Sequence, residues 1–222
     1  MPKSPAWIIK LGGSLAGTVA LDEALKGLIG LTWPAVLVPG GGRFARTVRE
    51  TQAAWGFNDV AAHRMAILAM TQYGLALASR TEGLVCADLE TLQCSPVTTP
   101  VLWLPRLIDV DIMDRADIPN DWSVSSDSLA LWLARYLGSP SVLLVKSCSP
   151  SQLRDASVVR GDALGLPAGL AARGRLFEIS GKLLERLGDE GIVDCALGPL
   201  ASHQPAPSLY IYCLAGAQDD SL

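Results

Sequence analysis

Two apolar runs in this chain carry a lysine at or near their ends. Ala6-Trp7-Ile8-Ile9-Lys10-Leu11 breaks at once into Gly12-Gly13-Ser14, and Val142-Leu143-Leu144-Val145 closes on Lys146. A buried ammonium is costly unless something negative meets it. Each lysine therefore either emerges into solvent or awaits an anion. A second glycine run, Gly40-Gly41-Gly42, follows Ala35-Val36-Leu37-Val38-Pro39. A glycine turn between strand and helix lets backbone N–H groups approach a phosphate, and the helix dipole favours negative charge there. Alone, such a turn often only satisfies tight geometry. Two of them beside a strand-end lysine point to a polyphosphate, although neither matches the nucleotide P-loop and no G-x-G-x-x-G stands in a dinucleotide-binding position.

A carboxylate completes the set. In Trp122-Ser123-Val124-Ser125-Ser126-Asp127-Ser128, Asp127 opens a helical pattern, and its simplest role is that of a first-turn acid. Two lysines and one aspartate at a single sheet edge also suit phosphoryl transfer. The lysines would neutralise the transferring group and the aspartate would orient them.

The elements that must position these residues read as an α/β fold with a largely parallel sheet. Expected strands cover residues 8–11, 35–38, 84–86, 101–104, 141–145 and 208–214. Expected helices cover 21–29, 44–55, a long one from Asn58 or Asp59 to Arg80, 125–137 and 177–187. The aspartate-rich stretch 109–121 reads as a surface loop, 147–174 as loops with short helices, and 216–222 as a frayed tail. Lys10 and both glycine turns then fall at the carboxyl ends of strands, where open parallel sheets bind ligands.

Composition narrows the partners. Of 222 residues, half are hydrophobic and 18% charged, with a formal net charge of −4. There is no electrostatic footprint for nucleic acid or an anionic membrane. The five cysteines form no C-x-x-C pair and the two histidines are far apart, so neither a zinc site nor a disulfide framework is expected. Free thiols in a reducing compartment are. No secretory leader is visible at the start. His63, Arg64, Thr71, Gln72 and Gly74 interrupt the most apolar segment, 60–79, which reads as a buried or interface helix. A cytoplasmic location is expected.

"IKLGGSL", "VPGGGRFA" and "SSDSLALWLA", in that order and at those separations, resemble the amino acid kinase family. The resemblance is good over residues 7–146 and weaker beyond. It implies a three-layer αβα sandwich with a mostly parallel central sheet, forming one domain over 1–222. Residues 1–140 would be mainly the acceptor side and 141–222 mainly the nucleotide side. It implies ATP with Mg2+ and a homo-oligomer, a dimer or larger. Lys10 would meet the transferring group, and Gly12, Gly13 and Ser14 would cradle ATP phosphates. Asp127 would align Lys10 with a second catalytic lysine, Lys146, for which Lys182 is the rival. Gly40, Gly41 and Gly42 would hold the acceptor, with Arg43, Arg64, Asp121, Trp122 and Ser126 beside them and His63 nearby. The simpler readings are a solvated face for Arg43, Arg46 and Arg49 and loop packing for Trp122.

Two departures stand out. The family's Gly-Gly-Met turn is missing, and Ser147-Cys148-Ser149-Pro150-Ser151-Gln152 replaces its Asp-Gly-Val-Tyr-like turn. Within the family, "GGGRFARTVRE", "AHRMAILAMTQYG" and "IPNDWSVSSDSLA" resemble the branch serving methanofuran biosynthesis. That branch implies ATP-dependent phosphorylation of [5-(aminomethyl)furan-3-yl]methyl phosphate to the diphosphate. The alternatives are another acceptor (a nucleoside monophosphate, isopentenyl phosphate or an amino acid carboxylate) or a non-catalytic protein that binds or stores anions.

Overall fold

A computed structural model describes residues 4–29, 31–114, 116, 118–203 and 205–214. Its elements in chain order begin with β1 (Trp7–Leu11), α1 (Val19–Lys26), β2 (Ala35–Pro39), α2 (Gly42–Trp55) and α3 (Asp59–Arg80). Next come β3 (Val85–Ala87), α4 (Leu89–Cys94), β4 (Val101–Trp103), α5 (Leu107–Asp114), α6 (Ser126–Leu137) and β5 (Ser141–Lys146). The last part holds β6 (Ser157–Val159), α7 (Ala168–Ala171), β7 (Gly174–Ile179), α8 (Lys182–Asp189), α9 (Leu197–Ser202) and β8 (Ser208–Leu214).

The sheet runs β3-β4-β2-β1-β5-β8-β7-β6. Its first six strands are parallel; β7 and β6 add an antiparallel edge. Strands in such a sheet are covered on both faces, which explains why β2 is a continuous apolar run, why β1 is apolar but for Lys10, and why both are buried throughout. Side chains alternate between faces. Ile8 packs with Val142, Leu144 and the α6 residues Leu129–Leu133 in one core cluster, and Ile9 packs with Leu143, Leu21 and Leu25 in the other. Helices therefore cover both sides of the sheet, as a three-layer αβα arrangement requires. Lys10 has the parity of Ile8, and Lys146 that of Leu144, so both lysines face the side on which α6 lies.

Most expected elements are present, and Asn58 does cap α3, its side chain accepting from the Ala61 amide. Five regions depart from expectation. Residues 107–114 are helix and not loop. Val110 and Met113 are buried, and Asp109, only 1% exposed, accepts from the Arg106 amide. The many acids masked that apolar spacing; Asp117 lies outside the described residues. The helix expected over 177–187 is a strand followed by a helix, because Gly181 turns the chain at φ +53° between β7 and α8. Helix α4, capped by Asp88, lies between β3 and β4, where no element is expected from the sequence. Strand β6 lies in the loop-rich part, and α9 was not foreseen. Residues 216–222 are outside the described ones. Among the described residues, no helix is long and apolar enough to cross a membrane.

Candidate active site

Both glycine turns lie at the carboxyl edge of the parallel strands, and they touch. The Gly12 amide donates to the Val145 carbonyl at 3.0 Å, and the Gly40 amide to the Leu11 carbonyl at 3.0 Å, carrying each strand pairing one residue past the sheet. A Cβ on Gly13 would stand 2.7 Å from the Gly42 nitrogen, and one on Gly40 would stand 2.7 Å from the Gly13 nitrogen. Close backbone approach thus demands these glycines whether or not a ligand does. Gly42, at φ +53°, opens α2, and the first amides of a helix have no acceptor within it.

Beside these turns is a buried ion cluster. Lys10 Nζ lies 2.9 Å from Asp127 Oδ1, and Lys146 Nζ lies 2.6 Å from Asp127 Oδ2. Lys10 is 5% and Asp127 2% exposed. The strands supply the lysines from neighbouring positions in the sheet, where Lys10 pairs with Leu144, two residues before Lys146. Helix α6 supplies the acid from its first turn. Burial lowers the Lys10 pKa to about 8; Asp127 opposes that shift and the charge of Lys146 adds to it. Burial also works against a charged Asp127, but the two lysines outweigh it and hold the carboxyl below its usual range. The cluster can present two ammonium groups to an anion while a single carboxylate holds them side by side.

A second carboxylate supports this arrangement. Asp194 Oδ2 accepts from the amides of Ser125 and Ser128, each at 2.9 Å, and from the Ser125 hydroxyl at 2.9 Å; its Oδ1 accepts from the Ser128 hydroxyl. These donors form the opening of α6, so Asp194 anchors the turn that carries Asp127. Burial raises the pKa of Asp194, and the nearby charge of Asp127 raises it further. Sequence reasoning missed it. The residue sits 66 positions from Ser128, and no local capping pattern announces a cap from so far away.

The cluster opens into a cavity of about 500 Å³. Lys10, Gly12, Gly13, Ser14 and Lys146 form one part of its wall, and Ser147, Cys148, Gln152 and Glu190-Gly191-Ile192 the rest. The Ser14 and Ser147 hydroxyls meet at 3.0 Å. Glu190 also escaped sequence reasoning; Ser147 and Gln152 entered it only as part of the turn that replaces the family's Asp-Gly-Val-Tyr-like one. The rival lysine, Lys182, is exposed at the start of α8 and makes no ion pair among the described residues.

The other candidates lie apart from that cavity. Trp122 Nε1 donates to Gln52 Oε1 at 2.6 Å, and the Arg49 guanidinium lies 4.3 Å over the Trp122 ring. Asp121 accepts from the Ser123 amide, and Arg64 is exposed, 4.0 Å from Asp111. Arg43 is exposed in the first turn of α2, and Ser126 is buried in the first turn of α6. His63 is buried, and its Nε2 has no hydrogen-bond partner among the described residues.

The chain is 29% identical over 146 residues to [5-(aminomethyl)furan-3-yl]methyl phosphate kinase of Methanocaldococcus jannaschii. The resemblance to a kinase family is borne out. The alignment covers 62% of this chain and 63% of that kinase, so the chain spans under two thirds of its relative's length. Two solved structures also align. Uridylate kinase from Archaeoglobus fulgidus does so at 17% identity, over 64% of this chain and 63% of that one, with TM-score 0.48. UMP kinase from Bacillus anthracis does so at 14% identity, over 96% and 97% of the two chains, with TM-score 0.49. No family model matches the chain.

Proposed function

We propose that this protein is an ATP-dependent phosphotransferase that adds a phosphate to a small phosphorylated acceptor. The acceptor proposed is [5-(aminomethyl)furan-3-yl]methyl phosphate, which would become the diphosphate. One observation carries the reading: two lysines share one buried carboxylate at the glycine-lined edge of a parallel sheet, beside a cavity with room for a triphosphate. The similarity to a phosphate kinase supports it and suggests the acceptor.

Catalysis here would be placement and charge neutralisation. The acceptor phosphate is already ionised, so its oxygen needs no general base to attack. Lys10 and Lys146 would bear on the transferring phosphoryl group, where charge spreads over the equatorial oxygens. Asp127 keeps both ammonium groups in position and blocks their mutual repulsion from separating them. The amides at the Gly12-Gly13 turn would receive the donor's phosphates, and those at the start of α2 the acceptor's. In this reading, residues 141–222 serve mainly the nucleotide and 1–140 mainly the acceptor.

Magnesium would enter this cavity as a companion of the nucleotide phosphates, to which it would supply positive charge. Glu190 is the carboxylate in the cavity wall, and among the described residues no cluster of three or more His, Cys, Asp or Glu residues could hold a metal ion.

The test is an acceptor panel with ATP and magnesium: the furan phosphate, uridylate, isopentenyl phosphate and acetylglutamate. ADP release that depends on the furan phosphate, with diphosphate product seen by phosphorus NMR, supports the full reading. Preference for another member corrects the acceptor. No ADP release with any of them favours a protein that only binds anions.

A further inference from the structure

The wall of the phosphate cavity carries a feature that phosphoryl transfer does not use. Cys148, which lines the cavity, has its Sγ 3.3 Å from the Sγ of Cys213 on β8. Cys213 is buried, at 6% exposure, and is the register partner of Lys146 across the β5–β8 pairing. Cys86, Cys94 and Cys195 are exposed and unpaired with any other thiol. One thiol of the touching pair is therefore open to a solute in the cavity, and the other is sequestered behind it.

We propose that Cys148 and Cys213 form a peroxide-reactive thiol pair in the wall of this cavity, closing to a disulfide that disables the site. The two sulfurs have unequal chemistry. The hydrogen bond with Cys213 lowers the pKa of Cys148 against the effect of burial, and the Lys146 ammonium helps. The same hydrogen bond, then burial, raises that of Cys213. Thiolate character and access set the order of oxidation, so Cys148 reacts first.

The chemistry balances with a hydroperoxide as oxidant. The Cys148 thiolate attacks the terminal peroxide oxygen, the O–O bond breaks, and Cys148 becomes a sulfenic acid; the leaving oxygen takes up the proton that the Cys148 thiol gave up on ionising and departs as an alcohol, or as water from hydrogen peroxide. Cys213 sulfur then displaces the sulfenic hydroxyl. The S–S bond forms, the S–O bond breaks, and the hydroxyl leaves as water with the Cys213 thiol proton. A disulfide needs a separation of roughly 2 Å, so the sulfurs must close by about an ångström. That movement pulls on the end of β5 and the segment after it, which carry Lys146 and the Ser147 hydroxyl bonded to Ser14. Displacements of this size in a catalytic geometry cost about a hundredfold in rate.

The loss of turnover rests on the proposed kinase activity, but the disulfide does not. The experiment treats the reduced full chain with hydrogen peroxide, alkylates the remaining thiols and maps the peptides. ATP turnover with the furan phosphate is measured on the same sample before oxidation, after it, and after dithiothreitol. The expected result is a linked Cys148–Cys213 peptide lighter by two hydrogens, about a hundredfold loss of turnover, and recovery on reduction. Cys213→Ser should keep basal turnover, form no linked peptide, and yield a Cys148 sulfenic acid that dimedone traps. If the linked peptide forms but the reduced protein turns over no acceptor, the kinase reading falls and the thiol pair stands. Should the reduced protein turn over while peroxide links no such peptide, the thiol pair falls alone. A linked peptide with undiminished turnover overturns the disabling effect.

Discussion

Lys10 and Lys146 stand on adjacent parallel strands and grip opposite oxygens of one carboxylate, Asp127. Neither lysine is held that way by helix propensity or loop chemistry. Strand parity puts both on the α6 face of the sheet, and the first turn of α6 delivers the acid between them.

The members of this cluster should fail differently when changed. Lys10→Met removes one buried charge but leaves Asp127 paired with Lys146, so stability should stay within about 1 kcal/mol of the parent, as apolar replacements of buried ions often do. Turnover should fall by about 10²–10³-fold, the scale of losing one charge-stabilising group. Asp127→Asn strands one buried and one partly buried ammonium group and should cost about 3–5 kcal/mol as well as turnover. Thermal denaturation beside ATP turnover separates the two; equal destabilisation would contradict the geometry.

The pH profile carries a signature. The folded-state pKa of Lys10 is about 8, against 10.5 for the free group. Its positive charge therefore disappears as pH rises through about 8, and kcat/KM, which reports the free enzyme, should fall with that midpoint. A bound polyphosphate favours the charged form, so the midpoint in kcat should lie higher. Stability moves the other way. Between about 8 and 10.5 the unfolded chain binds this proton more fully than the folded chain, so the Lys10 contribution to stability rises with pH. A kcat/KM profile flat past pH 10 would refute a role for charged Lys10.

Asp194 is a positioning residue and predicts a milder outcome. Asp194→Ala leaves the opening of α6 without its acceptor and should cost about 1–3 kcal/mol. It should lower kcat by about 10- to 100-fold through displacement of Asp127, with KM for ATP little changed. Asp194→Asn, which keeps an acceptor oxygen, should recover part of both. Steady-state kinetics on the two variants checks this; an unchanged kcat for Asp194→Ala would remove the residue from the site.

Gly13→Ala tests whether the two glycine turns must touch. The added Cβ meets backbone, the Gly42 nitrogen at 2.7 Å, so no side chain can yield. A cost of about 1–3 kcal/mol, typical of overpacking, is expected, with weaker ATP binding. Calorimetry would measure both, and an unperturbed variant would contradict the packing.

Much of this was legible in the residues. An apolar run ending in Lys and two glycines reads as a buried strand that meets an anion, and β1, β5 and Asp127 followed from such patterns. The Asn58 cap was local and readable for the same reason. What escaped was set by distance or by ambiguity. Asp194 reaches α6 from another part of the chain. The spacing of Phe177, Leu184 and Leu187 suits one helix until the turn at Gly181 divides it. The acids of 107–114 hid the buried stripe of Val110 and Met113, since Asp109 turns inward to the Arg106 amide where solvent exposure was expected.

The most direct measurement follows phosphorus NMR of the protein with ATP, magnesium and [5-(aminomethyl)furan-3-yl]methyl phosphate, run in parallel with Lys10→Met. ADP and the furan diphosphate should appear together with the parent protein, and neither should accumulate with the folded variant. Equal product formation by both proteins would contradict a phosphoryl-transfer centre built on Lys10, Asp127 and Lys146.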